Sequence, residues 1–165
     1  MAYDLSSLTG RSVLVTGHTG FKGSWLALWL HQLGAHVTGY ALDPLGKPNH
    51  FDAADIGPLL IDDIRADIRD ADRMAEALRR VEPEVIFHLA AQPIVRASLL
   101  EPRHTFDVIV MGTASLLDAV RLAGRPCVVL CSRQHQPGTT RCRPAGPTGR
   151  VLQQRGCRDE CRHHP

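Results

Sequence analysis

Glycines at 17, 20 and 23 stand between a short apolar run and a stretch with helical periodicity, in Thr16-Gly-His-Thr-Gly-Phe-Lys-Gly23. Ser12-Val-Leu-Val-Thr16 ahead of it reads as a buried parallel strand. A diphosphate needs backbone N–H groups aimed at it and no side chain in the way. Gly17 permits the tight turn, Gly20 lets the backbone approach the ligand, and Gly23 lets the helix pack close to the strand. The helix then begins beneath the phosphates, where its free N–H groups and dipole favour negative charge. Glycine spacing alone also describes a ligand-free turn. What carries this one is its place after a strand and at the head of a βαβ unit. The turn residues Gly17, His18, Thr19, Gly20, Phe21, Lys22 and Gly23 are therefore the candidate cofactor seat.

The rest of the first 130 residues alternates strand and helix. A helix is expected over 22–33, with Trp25, Leu26, Trp29, Leu30 and Leu33 on one apolar face and Gly34 ending it. Further strands are expected over 36–42, 59–64, 84–90 and 127–130, and further helices over 71–81 and 103–123. Pro83 stops the first of these helices and Gly124 caps the second. The pattern predicts an α/β fold: a doubly wound parallel sheet of the Rossmann type. Asp43, about 20 residues past the last glycine, stands where a carboxylate takes the adenine ribose hydroxyls. It would repel a 2′-phosphate, and no arginine lies near it in sequence, so NAD is favoured over NADP. An ordinary turn aspartate before Pro44 is the other reading of it.

Composition narrows the rest. A formal net charge of +2 points to neither nucleic acid nor a membrane surface. No apolar run is long enough to cross a bilayer, and 1–10 lack a signal pattern, so a cytoplasmic location is expected. From 131 onward the periodicity stops. That stretch holds seven arginines and all but one of the cysteines, and it is expected to be an irregular tail. Cys157 and Cys161 with His163 and His164 have the spacing of a zinc half-site, but nothing around them would form a scaffold. Translation out of frame explains the tail better. Codons for residues 153–161 can be chosen so that a shifted frame reads Ser-Lys-Gly-Ala-Ala-Glu-Met-Ser.

The turn resembles the opening of the extended short-chain dehydrogenase/reductase superfamily, and its continuation through Ser24-Trp-Leu26 is similar to the CDP-glucose 4,6-dehydratases. Gly39-Tyr-Ala-Leu-Asp43, Asp67-Ile-Arg-Asp70, Val85-Ile-Phe-His-Leu-Ala-Ala-Gln-Pro93 and Val110-Met-Gly-Thr113 are similar in the same order, over about 11–130. The resemblance implies bound NAD and a nucleotide-sugar substrate. NAD takes a hydride from C4 of the sugar, water leaves across C5 and C6, and the hydride returns to C6. It also implies cofactor contacts at Asp67, Ile68, Leu89, Ala90 and Ala91.

The catalytic residues do not carry over. The family's base is a tyrosine in Tyr-x-x-x-Lys, whereas Tyr3 and Tyr40 are the only tyrosines here and neither has a lysine four residues on. The family's Ser-Asp-Lys is Cys131-Ser-Arg-Gln here, its helical asparagine is Ile109, and a further tyrosine is Leu99. His88, within an apolar strand, reads as a core histidine. The expectation is a truncated dehydratase homologue that binds NAD without turnover. The alternative is a non-catalytic NAD-binding or partner-docking module with an arginine-rich tail. With the second domain missing, the fifth strand is expected to be an exposed edge that invites association, a homodimer included.

Overall fold

The computed structural model describes residues 5–132 and 137–142. Its strands are β1 (Ser12–Thr16), β2 (His36–Ala41), β3 (Asp62–Arg65), β4 (Val85–His88), β5 (Cys127–Ser132) and β6 (Pro137–Cys142). They form one sheet in the order β3-β2-β1-β4-β5-β6. The first five run parallel, and β6 pairs antiparallel with β5. The helices are α1 (Phe21–Gln32), α2 (His50–Ala53), α3 (Ala71–Val81), α4 (Val95–Leu100), α5 (Pro102–Phe106) and α6 (Gly112–Ala123). The chain winds from β1 outward to β3, then crosses back to place β4 on the other side of β1. This reversal sets the ends of β1 and β4 side by side, at the point where open α/β sheets bind ligands.

Strand alternation divides the core into two layers. Leu14, Tyr40, Ile86 and Val129 face one way, against Met74 and Leu78 of α3 and Leu116 and Val120 of α6. Val13, Val15, Val37 and Val85 face the other, against Ala27 and Leu30 of α1 and Phe51 of α2. Helix α3 has the expected bounds; Asp70 caps it by accepting the Arg73 N–H at 3.0 Å. The expected doubly wound parallel sheet is the observed fold.

Several expectations are corrected. The inner face of α1 is Gly23, Ser24, Ala27 and Leu30, while Trp25 and Trp29 are each about half exposed. The helix lies so close to the sheet that only small residues fit beneath its first two turns. Strand β3 occupies 62–65 rather than 59–64, because Gly57–Leu59 with Pro58 forms a tight 3-10 turn instead. Strand β4 stops at His88 because the Ala90 N–H turns to the Thr16 hydroxyl at 3.2 Å, while the Leu89 N–H is shared between the Thr16 carbonyl at 3.1 Å and that hydroxyl at 3.2 Å. The single helix expected over 103–123 is α5, a wider π turn (Asp107–Met111) and α6. Helix α4 precedes it, divided from α5 by the Glu101-Pro102 step.

The tail is not irregular throughout, since 137–142 form β6. Strand β5 is therefore covered, and among the described residues β6 and β3 are the edges. The open hydrogen-bonding groups of β5 give Thr139 and Thr140 a ladder to join, whatever their own periodicity. The zinc half-site and residues 153–161 lie outside the described residues. Among the described residues, no group of three or more His, Cys, Asp or Glu side chains could hold a metal, and no helix is long and apolar enough to cross a membrane.

Candidate functional site

Gly17 and Gly23 are fixed by the fold itself. Gly17 has φ of 76°, and a Cβ there would lie 2.8 Å from the Ala90 nitrogen. A Cβ on Gly23 would lie 2.1 Å from the Gly17 carbonyl oxygen. Gly20 differs. Its backbone is extended (φ −75°, ψ 165°), and a Cβ would meet only the Gly17 oxygen at 3.4 Å, an ordinary contact. Gly20 is exposed and N-caps α1 with no side-chain cap, so the first N–H groups of the helix face outward above it. Ser24 closes the turn from below, its N–H and hydroxyl both donating to the Gly20 carbonyl at 2.9 and 2.8 Å.

A buried polar chain ties this turn to the segment after β4. The Thr16 hydroxyl accepts the N–H groups of Leu89 and Ala90, so its proton goes to His88 Nδ1, 2.8 Å away. His88 therefore carries its own proton on Nε2 and donates to the Thr113 hydroxyl at 3.0 Å. Thr113 in turn donates to the Ile109 carbonyl in the π turn, at 2.6 Å. Burial pushes the His88 pKa down to about 4. His88 is a core histidine, as expected, and it also fixes how the 89–91 segment meets Gly17. Leu89 and Ala90 are partly buried there, and Ala91 is exposed.

The other candidates spread out from the turn. The His18 side chain is fully buried: Nε2 lies 2.8 Å from Asp63 Oδ1, and the ring stands edge-on to Phe51. A Cβ on Gly39 would strike that ring at 2.4 Å. Burial outweighs the neighbouring Asp63 carboxylate and lowers the His18 pKa. Its imidazole is thus part of the core. Thr19 donates its hydroxyl to the Leu42 carbonyl at 2.9 Å, joining the turn to the end of β2. Phe21 and Lys22 are exposed on the first turn of α1. Asp67 grips Arg69 at 2.6 Å, which holds its carboxyl below the usual range. Ile68 is buried beneath Gly112, where a Cβ would come within 2.6 Å of it. The Ile68 side chain therefore packs in the core; Asp67 lies partly exposed at the end of β3.

Asp43 stands at the mouth of the site, after β2, with its side chain 88 % exposed. The absence of a nearby arginine in sequence does not hold in space. Arg65, at the end of β3, brings its guanidinium to 3.6 Å from the Asp43 carboxylate. Sequence reasoning missed Arg65, Thr16 and Thr113. Correct bounds for β3 would have found Arg65, since alternation puts Asp63 and Arg65 on one face beside the end of β2.

A glycine turn, a helix start and the end of β4 thus meet at the switch point of a doubly wound sheet, the arrangement of the dinucleotide-binding α/β class. The chain belongs to the GDP-mannose 4,6 dehydratase family, whose model matches residues 14–139 and so runs past 130 into β6. It is 47 % identical over 115 residues to a CDP-glucose 4,6-dehydratase of Salmonella typhimurium, covering 70 % of this chain and 32 % of that protein. It is 42 % identical over 113 residues to a UDP-glucose 4-epimerase of Mycolicibacterium smegmatis, covering 67 % and 35 %. Among solved structures it resembles the Thermus thermophilus UDP-glucose 4-epimerase complex with NAD, with a TM-score of 0.60 and 33 % identity, covering 68 % of this chain and 34 % of that one. The UDP-glucose-4-epimerase from Stenotrophomonas maltophila with bound NAD and formylated UDP-arabinopyranose matches with a TM-score of 0.60 and 32 % identity, covering 69 % and 34 %. The chain spans about a third of the length of the relatives it matches.

Proposed function

We propose that this chain is the NAD-holding part of a nucleotide-sugar 4,6-dehydratase acting on CDP-glucose, and that its 165 residues alone bind the dinucleotide without turning over the sugar. The observation that supports NAD is Gly20. The protein itself leaves room for a side chain there, so a ligand lying against the backbone is what calls for glycine. In this reading the N–H groups at the head of α1 receive the diphosphate. Asp43 takes the adenine ribose, Asp67 and Ile68 border the adenine, and residues 89–91 border the nicotinamide. Bound NAD supplies a hydride acceptor.

In this reading the described residues supply orientation and not the base. Tyr40 is fully buried, its hydroxyl donates to the Asp67 carbonyl at 3.0 Å, and burial pushes its pKa up to about 12. It cannot take a proton from a sugar near neutral pH. A positioned general base contributes roughly 10²–10⁴-fold, so the chain alone is expected to show no turnover. The test is calorimetric titration of the purified chain with NAD, then incubation with CDP-glucose and NAD. Saturable NAD binding without a 4-keto-6-deoxy product is the expected result. Product formation would overturn the loss of catalysis, and absence of NAD binding would overturn the seat.

A cytoplasmic location and a homodimer belong to the same proposal. Val95, Leu99 and Leu100 on α4, with Phe106, Val110 and Met111 further on, are each more than half exposed. Such an apolar surface invites cover. Size-exclusion chromatography with light scattering is expected to give twice the chain mass of 18.1 kDa; a monomer at every concentration would refute the dimer.

A further inference from the structure

Arg65 is held more firmly than a surface arginine. Nη2 lies 2.6 Å from Asp63 Oδ2, and the guanidinium stacks over the Phe51 ring at 4.8 Å from its centre. Asp63 is steadied in turn by His18 Nε2, through its other oxygen. Nη1 is engaged more weakly than Nη2. It lies 3.5 Å from the Leu42 carbonyl and 3.6 Å from the exposed Asp43 carboxylate, both loose contacts. The cation is thus immobilised on one side and weakly engaged on the side that faces the end of β2. Guanidinium groups placed so take phosphate oxygens well, because the fork is already ordered.

We propose that Arg65 is a latent seat for a 2′-phosphate, and that Asp43 masks it, so the Asp43–Arg65 pair sets the choice between NAD and a 2′-phosphorylated dinucleotide. This rests on the reading that the adenine ribose lies against Asp43. With Asp43 charged, a 2′-phosphate meets a carboxylate before it meets the guanidinium, and the like charges repel. Arg65 meanwhile holds the Asp43 carboxylate loosely toward the ribose hydroxyls. With Asp43 replaced by asparagine the like charge is gone, and Nη1, 3.6 Å from that side chain, becomes available to the phosphate. The arginine that ordinarily accommodates a 2′-phosphate near the end of the second strand would here come from the third.

The test uses the full chain and four proteins: wild type, Asp43→Asn, Asp43→Asn with Arg65→Met, and Asp43→Asn with Arg65→Lys. Each is melted to confirm folding and titrated with NAD, NADP and 2′,5′-ADP. Wild type is expected to prefer NAD. Asp43→Asn is expected to tighten NADP and 2′,5′-ADP by about tenfold or more while weakening NAD, as relief of a like-charge contact implies. Arg65→Met should erase that gain, and Arg65→Lys should keep only part of it, since lysine keeps the charge and loses the fork. If Arg65→Met fails to fold, the lysine variant decides. A gain untouched by either Arg65 change overturns the proposal, as does the lack of any gain in Asp43→Asn when wild type binds NAD. Wild type that takes up no NAD overturns the underlying reading instead, and the proposal with it.

Discussion

Gly20→Ala should leave the fold intact and cost the dinucleotide, whereas Gly23→Ala should cost the fold. The two glycines lie three residues apart in one turn, and sequence gives no reason to separate them. The structure does. At Gly23 the added carbon would stand 2.1 Å from the Gly17 carbonyl oxygen and 2.7 Å from the His18 Cα. Both are backbone atoms, so relief needs α1 to lift off the sheet, opening the contacts of Ala27 and Leu30 below it. Overpacking that side chains can absorb costs about 1–3 kcal/mol, and a clash with rigid backbone lies at or beyond the upper end. A domain is stable by only about 5–15 kcal/mol, so loss of cooperative unfolding is the expected outcome. At Gly20 the added methyl meets one oxygen at 3.4 Å and the extended backbone accepts any residue. The melting temperature should move by no more than about 2 °C, in line with a surface change of a few tenths of a kcal/mol. NAD affinity should fall by about 100-fold, the scale of losing close contacts to a charged group. Gly20→Val serves as a larger wedge. Thermal melts and calorimetry on the same preparations read both effects. Equal melting temperatures for the alanine variants, or undiminished NAD affinity in both Gly20 variants, would contradict this division of labour.

How much was legible in the sequence depends on whether a signal is local. The glycine turn is: strand, turn and helix follow within a dozen residues, and each glycine has a reason in backbone sterics. The same holds for α3, where Asp70 caps and Pro83 stops a cleanly sided helix. Helix α1 misled because its apolar residues ring the helix and mark no single face. Hydrophobicity alone chose the tryptophans for the core, but the close approach set by Gly23 admits only small side chains. Strand β6 was illegible for another reason. It exists because β5 offers an open edge, which is a property of the sheet and not of residues 137–142.

The candidate site divides the same way. Gly17, Gly20, Gly23 and Asp43 follow from spacing and chemistry. His18 looked like part of the turn because its neighbours are, yet its imidazole is swallowed by the pocket that Gly39 leaves open. Arg65 lay hidden because it is 22 residues from Asp43 in sequence and adjacent only through the β2–β3 pairing. Thr16 and Thr113 are 97 residues apart and meet through one imidazole. Long-range polar chains of this kind leave no periodic trace.

That imidazole leads to the second large effect. Unfolded, a histidine titrates near 6.5; folded, His88 is held at about 4. Above pH 6.5 it is neutral in both states, and the full stability of the fold is present. As the pH falls from 6.5 toward 4, the unfolded chain takes up a proton that the folded chain refuses, so stability is lost through that window. The separation corresponds to about 3 kcal/mol, a large share of a domain's total. Protonation also breaks the chain of bonds, because Nδ1 can no longer accept from Thr16, which already accepts from Leu89 and Ala90. His88→Gln should cost about 2 kcal/mol at pH 7, for the severed bonds. It should also remove the loss between pH 6.5 and 4, so the two stability curves meet and then cross in acid. His18, also lowered by burial, titrates in both proteins and cancels in the difference. Asp67, held low by Arg69, contributes at more acid pH and cancels likewise. Urea denaturation of both proteins at several values between about pH 4 and 7.5 measures that difference. Curves that stay parallel across the range would show that His88 is not held neutral by this chain, and Thr16 and Thr113 would then have to be bonded some other way.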